Sequence, residues 1–527
     1  MAASLSRKFD PIAFHARFRP AATACIDLAT GEALSYRAFS GRATRCAQIL
    51  AERISEAGAA AVGARIAVIS RNSVFQTIIS AACERAGAIF APLNWRLTAP
   101  ELAELLADCE PALVLVEPEF ETQVRDAIKL AACSARLAAP VEVAGPEAPA
   151  PKSSAKLCQA GLNSPCILLY TSGTTGRAKG VILTRENAIY ASLNFAAVAS
   201  LDSRSVLLCD SPMFHTVGLC AIARTALFEG ACVLLSDRFV PQTALHRLSD
   251  PALGVTHYFV VPQMVEALMR EPAVMQADFS SMTALFSGGG PLSPALVQAC
   301  VDRGLLLVNG YGMSEIGSGI HMPLDASYMA NNPQAVGFPA PWIEARLAGE
   351  DGKPVQDGDV GEIWLRGPSV SPGYWNQPEA TAATRAQGWF RTGDLARQQS
   401  DGAYVIVDRL KDMYISGGEN VYPAEVEAVL RAIAGVADAC VIGAPDERWG
   451  EVGVAFIQLE AGVQLEAGDG VSAALAESEI RRSCAARLAR YKQPAHLRFL
   501  EAIPRTGSGK ARKNVLRDLF LKSALSA

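Results

Sequence analysis

Between Tyr170 and Gly180 the chain reads Tyr-Thr-Ser-Gly-Thr-Thr-Gly-Arg-Ala-Lys-Gly, a run of hydroxyls and glycines closing on Arg177 and Lys179. Glycines let backbone N–H groups converge on an anion, hydroxyls add donors, and the two cations neutralise charge. A polyphosphate is the ligand this chemistry fits. The loop is not a Walker A motif, because the G-x-x-x-x-G-K-[ST] spacing is absent. A second run, Pro504-Arg-Thr-Gly-Ser-Gly-Lys510, fails the same test: Pro504 stands at the first glycine position and Ala511 follows the lysine.

Something rigid must present such a loop. The apolar run Cys166-Ile-Leu-Leu169 reads as a buried strand leading into it. Upstream, Ala64 to Ser70 and Ala88 to Pro92 read as strands around a helix from Gln76 to Ala86. A helix from Glu101 to Asp108 and a strand from Leu113 to Val116 follow. This βαβ alternation predicts a parallel, doubly wound sheet and an α/β fold class. Residues 139–164, rich in Pro, Ala, Gly, Ser and Lys, read as a loop between subdomains. Alternation resumes from Val206 to Leu307. From Gly361 to Asp408, short strands broken by Gly, Pro and Asp predict a small barrel-like unit, and a compact α+β tail follows Lys411.

With 527 residues, half of them apolar, the chain can bury the cores of two or more domains. A net charge of −5 lacks the basic footprint of a nucleic-acid binder. No apolar run reaches the length of about 18 residues that a spanning helix needs. Met1 to Phe18 holds Arg7, Lys8 and Asp10 and no apolar signal core. Thirteen cysteines without C-x-x-C or Cys/His metal spacing read as reduced, buried thiols of a cytoplasmic protein.

Further clusters follow in a fixed order: Pro212-Met-Phe-His-Thr-Val-Gly-Leu219, Asn309-Gly-Tyr-Gly-Met-Ser-Glu315, Gly361-Glu-Ile-Trp-Leu-Arg-Gly367 and Gly388-Trp-Phe-Arg-Thr-Gly-Asp394. Asp408-Arg-Leu-Lys-Asp412, Ser416-Gly-Gly-Glu-Asn420, Pro423-Ala-Glu-Val-Glu427 and the Lys510 run complete the set. Together they resemble the adenylate-forming superfamily, its coumarate- and fatty-acid-CoA-ligase-like branch, from about Leu34 to Arg512. The resemblance implies a large N-terminal domain of doubly wound sheets plus a small β-barrel-like unit over 1–407. A hinge at 408–412 and a small mobile α+β domain over 413–527 complete the expected organisation.

It also implies a reaction. A carboxylate attacks the α-phosphate of ATP, pyrophosphate leaves, and a thiol captures the acyl-adenylate. Anions meet in the first step, so catalysis is mainly positioning and charge neutralisation. By resemblance, Thr171, Ser172, Gly173, Thr174, Thr175, Gly176 and Lys179 embrace the β- and γ-phosphates. Tyr311, flanked by Gly310 and Gly312, stacks on adenine, Ser314 touches phosphate, and Glu315 holds Mg²⁺. Asp394 accepts the ribose hydroxyls, with Arg409 beside it. Lys510 is the catalytic lysine of adenylation, and Lys411 is the hinge residue about which the tail swings. Gly417 and Gly418 then line the tunnel for the thiol, and His215 borders the carboxylate pocket.

The acyl pocket implied by the resemblance is lined by Thr216, Val217, Phe259, Ser287, Gly288, Gly310, Gly312, Gly317 and Ser318. Glycines at 310 and 317 are expected to leave volume, which disfavours acetate-sized acids. No arginine lies among these residues, which disfavours dicarboxylates. Phe214 to Cys220 holds no acid to bind an amine, which disfavours amino acids. Val217 offers no hydrogen bond to a phenol. Hydroxycinnamate-like and medium-to-long-chain fatty acids both remain. No carrier domain follows Lys510, so coenzyme A is the expected thiol, the alternative being a separate carrier protein. A homodimer is compatible with this reading. His257 and His321 fall near the expected pocket walls without a role.

Overall fold

The computed structural model describes residues 9–151, 157, 160–171, 178–290, 292–416, 419–461, 463–465, 474–475, 477–506 and 509–525. The chain divides into two compact units. The first runs to Ala345 and includes Leu365–Phe390; the second takes Arg346–Trp364 and Arg391 onward.

Two sheets build the first unit. In one, the central strands Arg65–Ile69, Ile89–Pro92 and Leu113–Val116 run parallel and are buried almost throughout, as their unbroken apolar sequences require. Helices Val74–Ala86 and Ala99–Cys109 cross between them. The first starts two residues before the expected Gln76 because the Ser73 side chain accepts from the Gln76 N–H, and Gly87 closes it with φ 76°. In the second helix, Thr98 and Glu101 form a capping box. The other sheet orders Leu307–Met313, Ala284–Gly288, His257–Val260, Val206–Cys209 and Cys232–Leu235 side by side, all parallel. The α/β class is as expected, but neither sheet is wholly parallel. Pro165–Thr171 turns back antiparallel into Lys179–Thr184, and Leu307–Met313 into Gly317–His321. Both antiparallel hairpins carry the motif residues. The region expected as a loop over 139–164 contains a helix, Pro140–Ala144, where Pro140 starts the turn and Glu142 caps the Ala139 N–H.

In the second unit, residues 394–398 of the strand Trp389–Gln398 pair antiparallel with Tyr404–Arg409. Beyond them, the long strands Val436–Asp446 and Gly450–Leu459 pair antiparallel and bury both faces. Val441, Ala455 and Ile457 pack with Val426, Leu430 and Ile480 from helices Pro423–Arg431 and Glu477–Arg487. Cys440, Ile442, Val454 and Phe456 alternate onto the opposite face with Leu516 of helix Lys513–Leu525. The expected α+β tail is present.

The described cysteines are all free thiols, and all but Cys133 and Cys232 are buried. Among the described residues, no helix is long and apolar enough to cross a membrane.

Candidate active site

Thr171 and Lys179 are cross-strand partners at the mouth of the phosphate-loop hairpin. Ser172, Gly173, Thr174, Thr175 and Gly176 lie outside the described residues, as do Gly417 and Gly418. Lys179 extends its ammonium over the ring of Tyr374, 5.0 Å from the centroid. The Tyr374 hydroxyl donates to Glu315 Oε1 at 2.8 Å. Burial and the Glu315 carboxylate push the Tyr374 hydroxyl well above its ordinary pKa, so it stays a donor. A cation from the loop and the expected metal-binding acid are thus joined through one tyrosine.

Glu315 occupies the turn between Leu307–Met313 and Gly317–His321, with Ser314 beside it. The segment 368–374 clamps that turn. Ser371 N–H donates to the Glu315 carbonyl at 2.7 Å, and the Ser369 hydroxyl to the Ile316 carbonyl at 3.0 Å. Gly373 and Tyr374 then pair with Ile182 and Val181, continuing the sheet that carries Lys179. Tyr374 falls outside every motif legible in the sequence. Its only local signal, a Gly-Tyr dipeptide after a proline, is common to ordinary turns. Arg385 falls outside them too; its side chain donates to the Ser371 carbonyl and its charge acts on Tyr374 and Glu315.

His215 leads into the π-helical stretch Val217–Arg224, so Thr216 and Val217 sit at its first turn. Buried Asn72 positions this segment, accepting from Met213 N–H at 2.8 Å and donating to the Ser211 carbonyl at 2.9 Å. Gly218 is required here, because a Cβ would stand 2.4 Å from the Ser211 carbonyl oxygen. The Phe214 and His215 rings lie 4.5 Å apart.

Strand register sorts the expected acyl-pocket residues. Phe259 pairs with Phe286, Gly288 with Gly310, and Gly310 with His321, so these five share one face. Ser287 alternates to the opposite face, with Tyr258, whose hydroxyl donates to Asp210. Gly310 and Gly317 do not leave open volume. The His321 ring fills the place of a Cβ at Gly310, its Nδ1 only 2.4 Å from that position, and Ala191 does the same at Gly317, at 2.9 Å. Gly312 and Ser318 meet across the same hairpin.

The second unit holds the other expected residues. Asp394 and Arg409 are cross-strand partners, with Arg409 Nε 3.3 Å from Asp394 Oδ1. Buried Glu362 braces the approach to Asp394: it accepts from Gly393 N–H and Arg391 Nε, each at 3.0 Å. Asp408 accepts from the Arg409 and Ala424 N–H groups, both at 2.7 Å, and burial raises its pKa. Lys411 is exposed in the turn that follows, beside buried Asp412, which pairs with Arg517 at 3.3 Å. Ser416 pairs with Glu419 around the two undescribed glycines. Lys510 is exposed on a tight hairpin: Thr506 N–H donates to the Lys510 carbonyl at 2.8 Å, and Gly509 takes φ 82°.

The AMP-binding enzyme model matches residues 12–375, and the AMP-binding enzyme C-terminal domain matches 425–510. A feruloyl-CoA synthase from an Amycolatopsis species is 39% identical over 96% of this chain and 97% of its own length. An indoleacetate–CoA ligase from Aromatoleum aromaticum is 35% identical over 93% of this chain and 94% of its own. The crystal structure of ATP-bound MatB from Rhodopseudomonas palustris superposes with a TM-score of 0.84 at 29% identity, covering 97% and 99% of the two chains. The chain belongs to the AMP-binding, adenylate-forming enzyme family.

Proposed function

We propose that this protein is an ATP-dependent acyl-CoA ligase that activates a hydrophobic monocarboxylic acid, aromatic or fatty, as its adenylate and transfers the acyl group to coenzyme A. AMP and pyrophosphate are the other products. The observation that carries this reading is the Lys179–Tyr374–Glu315 cluster at the mouth of the phosphate-loop hairpin. Identity to a feruloyl-CoA synthase along nearly the whole chain supports it.

Lys179 neutralises the β- and γ-phosphates, and Tyr311 stacks on adenine. Tyr374 takes Glu315 Oε1 and leaves Oε2, an oxygen donor suited to a hard cation such as Mg²⁺. Mg²⁺ bound there supplies further neutralisation of phosphate charge. Asp394, steered by Arg409 and the Glu362 brace, accepts the ribose hydroxyls. Lys510 reaches the carboxylate and the α-phosphate from its hairpin during adenylation. Rotation at the 408–412 hinge, with Lys411 absorbing the backbone change, then exchanges Lys510 for the Ser416–Gly418 segment, which admits the thiol. His215 borders the carboxylate.

The test is pyrophosphate release from Mg-ATP across acetate, fatty acids, benzoates and hydroxycinnamates, with and without coenzyme A. One acyl class with coenzyme A-dependent turnover is expected. Turnover indifferent to coenzyme A would transfer the reading to a separate carrier protein, and no release with any acid would end it. In the same assay Lys510→Ala should lower adenylation by about 10²–10³, while AMP release from supplied acyl-adenylate and coenzyme A should be spared.

A further inference from the structure

The His257 and His321 rings each lie 6.3 Å from the Phe286 ring, and their environments differ completely. His257 is satisfied at both nitrogens, by the Thr256 hydroxyl at 2.7 Å and the Ala199 carbonyl at 2.9 Å. His321 is 5% exposed, and neither of its ring nitrogens has a hydrogen-bond partner among the described residues. Leaving a buried polar group unsatisfied costs about 1–3 kcal/mol, so such a group in a native fold asks for an explanation.

The ring is firmly located. It lies over the bare Cα of Gly310, in the place a side chain there would need. Two phenylalanines, Phe195 and Phe286, flank it, and Phe259 packs on both of them. Phe195, from helix Arg185–Ala199, packs 5.4 Å from Phe259, 5.2 Å from Phe286 and 6.0 Å from His321. Phe259, Gly288 and Gly310, on the same face, are the residues read above as lining the acyl pocket.

We propose that His321 is a specificity-determining residue whose ring hydrogen-bonds a neutral hydroxyl or ether oxygen on an aromatic acyl group. The proposal rests on the acyl-CoA ligase reading and on the acyl group occupying this face. Burial with no charged neighbour pushes the imidazole down to about 4, so at neutral pH it offers one donor and one acceptor. A phenol donates to the acceptor; a methoxy oxygen accepts from the donor. A second carboxylate would need a cation, which this face does not provide. An alkyl chain would leave both nitrogens bare. The phenylalanine walls favour a ring. This supplies the polar partner that Val217 could not.

The probes are 4-hydroxycinnamate and cinnamate, compared by kcat/KM in pyrophosphate release with Mg-ATP and coenzyme A. The wild-type enzyme should prefer the hydroxylated acid by about tenfold or more, the ratio a buried hydrogen bond supports. His321→Leu should remove that preference by lowering kcat/KM for 4-hydroxycinnamate alone, leaving cinnamate within about threefold. His321→Gln, which keeps a donor and an acceptor, should restore part of it. A merely structural histidine would move both acids together and overturn the proposal. Equal wild-type use of the two acids overturns it without any variant, so a misfolded variant does not shelter it. Turnover of fatty acids but neither cinnamate also overturns it and leaves the ligase reading standing. Silence with every acid would sink that reading, and the proposal with it.

Discussion

The hairpin of Leu307–Met313 and Gly317–His321 has two ends with opposite character. At its turn, Glu315 is held by a tyrosine hydroxyl and by backbone from a distant segment. Six residues further on, His321 is equally buried yet makes no polar contact with the described chain. Both are expensive groups to bury. The difference lies in when their partners arrive. A group that must meet phosphates in a set geometry is organised by the protein beforehand. A group that reads the substrate is left for the substrate to complete.

Breaking the organised end should have the largest effect. Glu315→Gln is expected to lower kcat for pyrophosphate release by about 10² or more, because the charge is lost. Its Tm should stay close to wild type, since the amide oxygen still accepts from Tyr374. A large fall in Tm with little loss of kcat would mean that Glu315 serves the fold instead.

Gly310→Ala attacks the open end from behind. Its Cβ would stand 2.4 Å from His321 Nδ1, so the imidazole must move, and overpacking of this kind costs about 1–3 kcal/mol. The preference for 4-hydroxycinnamate over cinnamate should fall to about twofold or less. An unchanged ratio would show that the ring position does not set selectivity.

The two histidines should respond oppositely to leucine. His257→Leu strands the Ala199 carbonyl, while the Thr256 hydroxyl keeps Val206 as its partner, and should cost about 1–3 kcal/mol in denaturant melts, with no change in acyl preference. His321→Leu removes an unsatisfied group and should leave stability equal or higher.

The last effect is in pH. The folded pKa of His321, about 4, lies below the ordinary 6.5, so the unfolded state binds more protons between these values. Wild type should therefore lose stability relative to His321→Leu as pH falls from about 6.5 towards 4, by about 2 kcal/mol at pH 5. Parallel pH–stability curves would show that His321 is not held neutral by burial.

Elements such as Val74–Ala86 and Leu113–Val116 are legible in the sequence, the first to within two residues and the second throughout. Those elements depend on local periodicity and on caps only a few residues away. The helix at Pro140–Ala144 is not legible there, because it lies inside a stretch whose composition resembles a loop. The glycines at 310 and 317 suggest empty space in the sequence but hold none in the fold, because a missing side chain says nothing about which neighbour moves in.

What the sequence by itself determined is the chemistry: contiguous motifs of glycine, hydroxyl and charge name the family, because a phosphate loop or a lysine hairpin is built from neighbours along the chain. Tertiary structure alone decided which groups meet. Tyr374 reaches Glu315 across 59 positions, and His257 finds the Ala199 carbonyl across 58. Among the described residues His321 finds no such partner. Whether a buried polar atom is satisfied depends on strand register and on helices packed from elsewhere in the chain, and no local pattern encodes either.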